Sequence, residues 1–214
     1  MAKPAAQREI KQERAARTRV EILQAAVELF ARRGMLATTM AELARAIRMT
    51  PGALYWHFPT KEDLLLAAIE EVHRRFMGEF VDVMTEGRKW PARKQLSTFI
   101  ERTRNFLRYH REHGSFFGVL MAESADTNER VAQQFRDVLV QYSTALTSIV
   151  KYGQKQGEFR SDVDAELFAH GMLAANMGMV VYQRLFQSTV QFDTLVDSIN
   201  VPLMDGLAPT TTSR

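Results

Sequence analysis

Apolar residues recur along this chain at helical spacing almost without interruption, and their phase resets at a few Gly, Pro and capping residues. Val20, Leu23, Val27 and Phe30, widened by Ile22, Ala26 and Leu29, make one face of a first helix. It runs from about residue 14, or earlier, to Arg33 and stops at Gly34. Met40, Leu43, Ala44 and Ile47 fall at i, i+3, i+4 and i+7 and predict a short second helix. Thr39 is its N-cap, and Glu42 three residues on can complete a capping box. Thr50 and Pro51 open a third helix: Thr is a favoured cap, and Pro suits a first helical position whose N–H would be unpaired anyway. Pro59 ends that helix after about two turns. Thr60 caps a fourth helix, expected over residues 60–86, with Leu64, Leu65, Ala68, Val72, Phe76, Phe80 and Val83 on its buried side.

Gly87, Trp90 and Pro91 break the pattern. It resumes through Leu96, Phe99, Ile100, Thr103, Phe106 and Leu107 to His113, where Gly114 is expected to end the helix. Further helices are predicted over residues 115–123, 126–153, 164–186 and 192–207, the last kinked or ended by Pro202. No stretch alternates with period two and no segment repeats. The prediction is an all-α fold of about nine helices. It divides into a basic N-terminal arm (residues 1–14), a three-helix head containing a helix-turn-helix (15–60), a larger helical body (61–207) and a frayed tail (208–214). The arm reads either as a solubilising leader or as an extra phosphate contact.

Charge sharpens this division. Residues 1–61 hold 11 Lys and Arg against 5 acids, net +6; since the chain totals 28 and 25, the remainder holds 17 and 20, net −3. A basic first third on a mildly acidic body fits a DNA-binding head on a body with another task. With no Cys there is no disulfide framework, thiolate metal site or cysteine nucleophile. No leader with an apolar core opens the chain, and no apolar run approaches the ~20 residues that cross a bilayer. A soluble, cytoplasmic protein without membrane attachment is expected. His110 and His113, at i and i+3, could both reach a metal, but Arg108 and Arg111 beside them favour a solvated basic helix end. No metal, cofactor or enzymatic constellation is expected: there are no paired acids beside a nucleophile, no phosphate-cradling Gly loop and no HExxH.

The third helix carries the most informative chemistry. Thr50, Gly52 and Ala53 are small and allow close backbone approach. Tyr55, Trp56 and His57, with Lys61 beyond, can donate to phosphates or lie against sugars, while only Leu54 and Phe58 are committed to the core. The stretch GALYWHFPTKEDLL resembles the end of the recognition helix and the start of the next helix in the TetR family of bacterial repressors. Gly52, Leu54, Tyr55, His57, Phe58, Lys61 and Leu64 match its pattern, and Trp56 is similar to the multidrug-efflux-regulator branch. The specific resemblance covers about the first third of the chain. One position departs from it: Arg48 stands in the turn where the family has Gly, and a left-handed non-Gly residue costs about 1 kcal/mol or more. Arg48 could add a phosphate contact.

The resemblance implies a homodimer whose two heads enter successive major grooves of double-stranded operator DNA. Thr39, Tyr55, His57 and Lys61 would hold phosphates; Thr50, Pro51, Gly52 and Ala53, with Arg45 or Trp56, would face base edges. In the body, Gly171, Ala174, Ala175 and Gly178 form a small-residue ridge on an otherwise apolar helix, and a second copy would cover it with help from Val181, Leu195 and Ile199. The alternative is an ordinary buried helix in a monomer. Phe76, Phe80, Phe99, Thr103, Phe106, Phe117, Met121, Phe135, Tyr142, Met172 and Asn176 read either as core or as an aromatic pocket with polar anchors. The resemblance favours a pocket for a small apolar or amphipathic inducer, with Asn176 its best polar group. The expected function is a ligand-responsive repressor released from a near-palindromic operator. The rivals are a DNA-binding regulator with a solid, non-sensing body, and a helical enzyme or carrier without DNA binding.

Overall fold

The computed structural model of the protein describes residues 5–82, 86–186 and 189–209. Among them are nine α-helices and one short 3-10 turn, and no strand. The helices are α1 (Ala5–Arg33), α2 (Met40–Ala46), α3 (Pro51–His57), α4 (Lys61–Gly78), α5 (Ala92–Tyr109), α6 (Arg111–Ser124), α7 (Glu129–Gln156), α8 (Ala165–Leu185) and α9 (Phe192–Gly206). None is long and apolar enough to cross a membrane.

Several boundaries differ from expectation. The arm is helical from Ala5, because the residues after Pro4 are mostly Ala, Gln, Arg, Glu and Lys, all good helix formers. Residues 1–4 and 210–214 of the expected arm and tail lie outside the described residues. The fourth helix ends at Gly78 rather than near residue 86; beyond it Phe80 turns inward while Val81 faces solvent. Val83 lies outside the described residues. The break expected at Gly114 occurs at His110, and Gly114 sits inside α6. Pro202 lies inside α9, four residues before its end. On α1 the buried face is centred on Ile22, Leu23, Ala26, Val27 and Phe30, and Val20 is exposed.

The caps follow from local chemistry. Thr39 forms both halves of a capping box with Glu42. Thr50 Oγ1 accepts from the Ala53 N–H at 3.2 Å, and Pro51 opens α3. The turn between α2 and α3 closes with the Met49 N–H on the Ala44 carbonyl at 2.8 Å and Arg48 at φ 56°. That is the left-handed helix stop that Gly normally occupies, so the departure noted in the sequence is real and strained.

Head and body are not separate cores. One apolar cluster runs from Ile22, Phe30, Leu43 and Leu54 through Leu64 and Ile69 to Phe116, Leu120, Val131 and Phe135. Helix α1 packs along α6. Polar ties reinforce the junction. The Glu123 carboxylate, at the end of α6, accepts the N–H groups of Met35 and Leu36 at 2.7 and 2.8 Å. Arg184 of α8 donates to the carbonyls of Ala31 and Arg32. Asn128 and Arg130 hold Glu62 of α4, each at 2.7–2.8 Å.

Candidate nucleic-acid interface and effector cavity

Helix α3 presents its residues outward from a fixed base. Leu54 and Phe58 are fully buried and anchor it, each contributing about 2 kcal/mol by burial. The Arg19 guanidinium lies over the Phe58 ring at 4.4 Å, fastening α1 to the end of α3. Thr50, Pro51, Gly52, Tyr55 and Trp56 are exposed, Trp56 at 75 %, and a Cβ on Gly52 would meet nothing within 4 Å. Thr39, Arg45 and Arg48 are exposed on the neighbouring surface. Ala53 and His57 are half-buried, with His57 edge-on to Trp56. Lys61 departs from its expected place: its ammonium donates to the carbonyls of Met35 and Thr38 at 2.7 and 3.0 Å. Its first role is to tie α4 to the loop before α2, because those carbonyls at the end of α1 have no helical partner.

A second exposed surface is a stripe on α8. Gly171, Ala174, Gly178 and Val181 face outward, Ala175 is half-buried, and a Cβ on Gly171 or Gly178 would meet nothing. Leu167, Tyr182 and Leu185, which the sequence reading missed, extend the same face. On α9, Leu195 and Ile199 pack in part against the chain's own cluster of Phe106, Met179, Val180 and Val196. Val201 is the exposed apolar residue of that helix.

Inside the body, walled by α4, α5, α6, α7 and α8, lies an apolar cavity of about 60 Å³. Of the predicted pocket residues, Phe76, Phe99, Thr103, Phe106, Phe117, Tyr142, Met172 and Asn176 line it. Phe80 stands behind, against Phe76 and Phe99. Met121 and Phe135 belong instead to the core joining body to head. Asn176 is not an unclaimed anchor: its amide donates to the Met172 carbonyl at 2.8 Å and pairs with Asn200 of α9 at 3.3 Å. Tyr142 shares a hydrogen bond with His73 at 2.9 Å, and burial pushes its phenol pKa well up, keeping it protonated. Four buried side-chain polar atoms are left unpaired among the described residues, Thr103 Oγ1, Arg104 Nε, His113 Nδ1 and Gln183 Oε1, and of these Thr103 and His113 line the cavity.

His113 corrects the expected solvated helix end. It is 4 % exposed and lines the cavity, because α6 begins at Arg111 and turns its third residue inward. Burial, partly offset by Glu112, pushes its pKa down to about 4, so the imidazole is neutral. The ring stacks on both Phe106 and His110, which also touch each other, so the three rings form a triangle with centroids about 5 Å apart. Nitrogen and carboxylate atoms of His110, Glu112 and His113 come within 4.8 Å of one another, but the two imidazoles lie face to face, a packing geometry rather than a chelating one.

Two family descriptions match the chain. "Bacterial regulatory proteins, tetR family" covers residues 22–68, and "Tetracyclin repressor-like, C-terminal domain" covers residues 92–199, just over half of the chain. The protein belongs to the TetR family. It is therefore a DNA-binding transcriptional regulator and not an enzyme. It is 28% identical over 198 residues to the HTH-type transcriptional repressor KstR2 of Rhodococcus jostii, covering 89% of this chain and 91% of that one. It is 29% identical over 167 residues to the HTH-type regulator YerO of Bacillus subtilis, covering 75% of this chain and 55% of that relative's length. A regulator from Saccharomonospora viridis solved with choline superposes with a TM-score of 0.78 at 23% identity, over 90% of this chain and 98% of that one, and shares the fold. TetR-family regulators bind operators as dimers and respond to small molecules.

Proposed function

We propose that this TetR-family regulator is a homodimeric repressor, paired through the outer face of α8 and α9, that leaves a near-palindromic operator when an apolar or amphipathic effector enlarges the cavity beside α6. The observation that carries the DNA-binding part is α3. It has seven residues, of which Leu54 alone is buried, held at both ends by a side-chain cap and by Phe58. So short a helix, so little engaged with its own core, is suited to insertion by its N-terminal end into a major groove. Thr50, Pro51, Gly52 and Ala53 face base edges, with Arg45 and Trp56 at the flanks. Thr39, Arg48, Tyr55 and His57 hold phosphates, and Lys61 reaches DNA only with the donor capacity its two carbonyls leave.

The cavity supports a sensing body over a solid one. A void lined by aromatic rings and two unpaired polar atoms is poor packing for a core but a usable start for a ligand site. At about 60 Å³ it is far below the roughly 300–1,000 Å³ of small-molecule sites, so occupation must push its walls apart. Two walls also touch the head, α4 and α6, and the one that carries Glu123 is α6. Its displacement would move Glu123 and so the α1–α2 loop.

The test is selection of duplexes from a random pool by the full-length protein, followed by titration in fluorescence anisotropy. The wild type is expected to enrich an inverted repeat with half-sites about 34–36 Å apart. Tyr55→Ala is expected to weaken the selected duplex by roughly tenfold. Enrichment of single, unpaired half-sites would reject the dimeric reading, and an unaltered affinity in Tyr55→Ala would reject the assigned interface.

A further inference from the structure

The cavity does not stand alone. On the other side of α6 lies an open cleft of about 860 Å³, bounded by α1, α5, α8 and the approach to α9. Leu107 and Gly114 line both spaces. The two spaces meet at Gly114, where packing is close: an added Cβ would lie 2.8 Å from Leu107 Cδ2 and 3.1 Å from Val180 Cγ1. Only Gly lets the helix come this close, and the side chains that meet there are mobile methyl groups.

The two spaces differ in chemistry. The cavity is almost wholly apolar; of its polar residues, Tyr142 and Asn176 are already hydrogen-bonded, and Thr103 and His113 each keep an unpaired atom. The cleft is rimmed by Arg32, Arg108, Arg111 and Arg184. Arg108 is paired with Asp193, and Arg184 is fixed on backbone carbonyls. Arg32 and Arg111 have no carboxylate partner among the described residues, while Glu28 and Glu112 are the acids of the lining and Glu112 leans toward His110 and His113. Gln183, nine-tenths buried on the cleft wall, keeps Oε1 without a donor.

We infer that the effector of this protein is an anionic amphiphile: an apolar chain that enters the cavity past Gly114, with a charged headgroup held in the cleft by Arg32 and Arg111. This rests on the cavity being the effector site. Size supports the division. The cavity is too small for a whole ligand yet shares Leu107 and Gly114 with a cleft of ample volume, so a molecule with a narrow tail and a wide head would use both once Leu107 and Val180 move aside. Charge supports it as well. Two exposed guanidiniums with no carboxylate within ion-pair distance, beside the apolar residues that the cleft shares with the cavity, suit a carboxylate or phosphate by bidentate hydrogen bonding. The unpaired Gln183 oxygen adds an acceptor for an amide or hydroxyl donor near the headgroup.

The experiment is calorimetric titration of the full-length protein, below micelle-forming concentrations, with dodecanoate, dodecyl phosphate, dodecanol and the neutral dye N-phenyl-1-naphthylamine. The expected result is that one or both anions bind at least tenfold tighter than dodecanol. Whichever is tighter identifies a carboxylate or a phosphate headgroup. In Arg32→Gln/Arg111→Gln that preference is expected to vanish while dodecanol is unaffected, and Gly114→Ala is expected to weaken every chain-bearing probe by about the same factor. Equal binding of dodecanol and the anions would overturn the headgroup assignment and leave the cavity as effector site. Failure of all four probes, the dye included, would overturn both. A preference for anions that survives the double Arg substitution would place the headgroup elsewhere and also overturn the inference. Circular dichroism of each variant establishes that it is folded.

Discussion

The head and the body solve opposite problems with the same material. Around the head the starts of α2, α3 and α4 are each capped by a Thr, the α2–α3 turn is closed even at the cost of a strained Arg48, and Lys61 and Glu123 take up loose backbone groups around the α1–α2 loop. In the body two polar atoms stay unpaired in a void and one helix shows an apolar face to solvent. A surface that must meet a rigid duplex gains from being fixed beforehand, whereas a body that must respond needs packing that something else completes.

The largest effect is expected where the body is completed by a second copy. Ala174→Arg with Gly178→Arg places two charges on the outward stripe of α8. Sedimentation is expected to show monomers, with operator affinity reduced about a hundredfold or more through loss of the second head. A monomeric variant with undiminished affinity would mean that the heads act singly. Next comes the link between the two regions. Glu123→Gln weakens two charge-assisted hydrogen bonds, an expected loss of about 1.5–3 kcal/mol that lowers Tm by about 4–8 °C. Hydrogen exchange should locate the loss at the Met35 and Leu36 amides, and uniform loosening of the chain would contradict a local tie.

A smaller effect comes from His113. Its pKa falls from 6.5 to about 4 on folding, so the unfolded chain takes up the proton first. Its contribution is complete above about pH 6.5 and is lost as pH falls toward 4. The groups around it are Glu112, His110, Arg75 and Glu71. Between pH 7 and pH 5 the wild type is expected to lose about 3 °C more in Tm than His113→Gln does. Equal losses would mean that His113 is protonated in the fold. The smallest effect should have the opposite sign. Arg48→Gly relieves the left-handed residue and is expected to raise Tm by about 2–4 °C, corresponding to about 1 kcal/mol. If it also weakens DNA binding, Arg48 contributes a phosphate contact as well as strain.

The same contrast explains what could be read from the chain. Thr39 with Glu42, Thr50 with Pro51, and Leu54 with Phe58 obey rules that span only a few residues, so the head was legible nearly to the atom, including the awkward Arg48. Much of the cavity wall was also legible, since Phe76, Phe99, Phe106 and Met172 fall on inward helix faces. What escaped depends on distant partners. Gly114 looked like a stop, but its small size serves Leu107 and Val180. His113 looked solvated because the break at His110, which turns it inward, has no local signature. Asn176 looked available until Asn200, 24 residues later, claimed it, and Lys61 looked free until the carbonyls of Met35 and Thr38 did the same.

Helix α6 has a consequence for anyone wishing to rewire such a protein. At 14 residues it is a rod about 21 Å long, with one end forming the cavity wall and the other gripping the loop that leads into the helix-turn-helix. On the proposed coupling through this rod, output gain is expected to be adjustable at Glu123, while the residues that line the cavity and face DNA stay as they are. A graded set of substitutions there would yield sensors that share one stimulus and one promoter but differ in threshold.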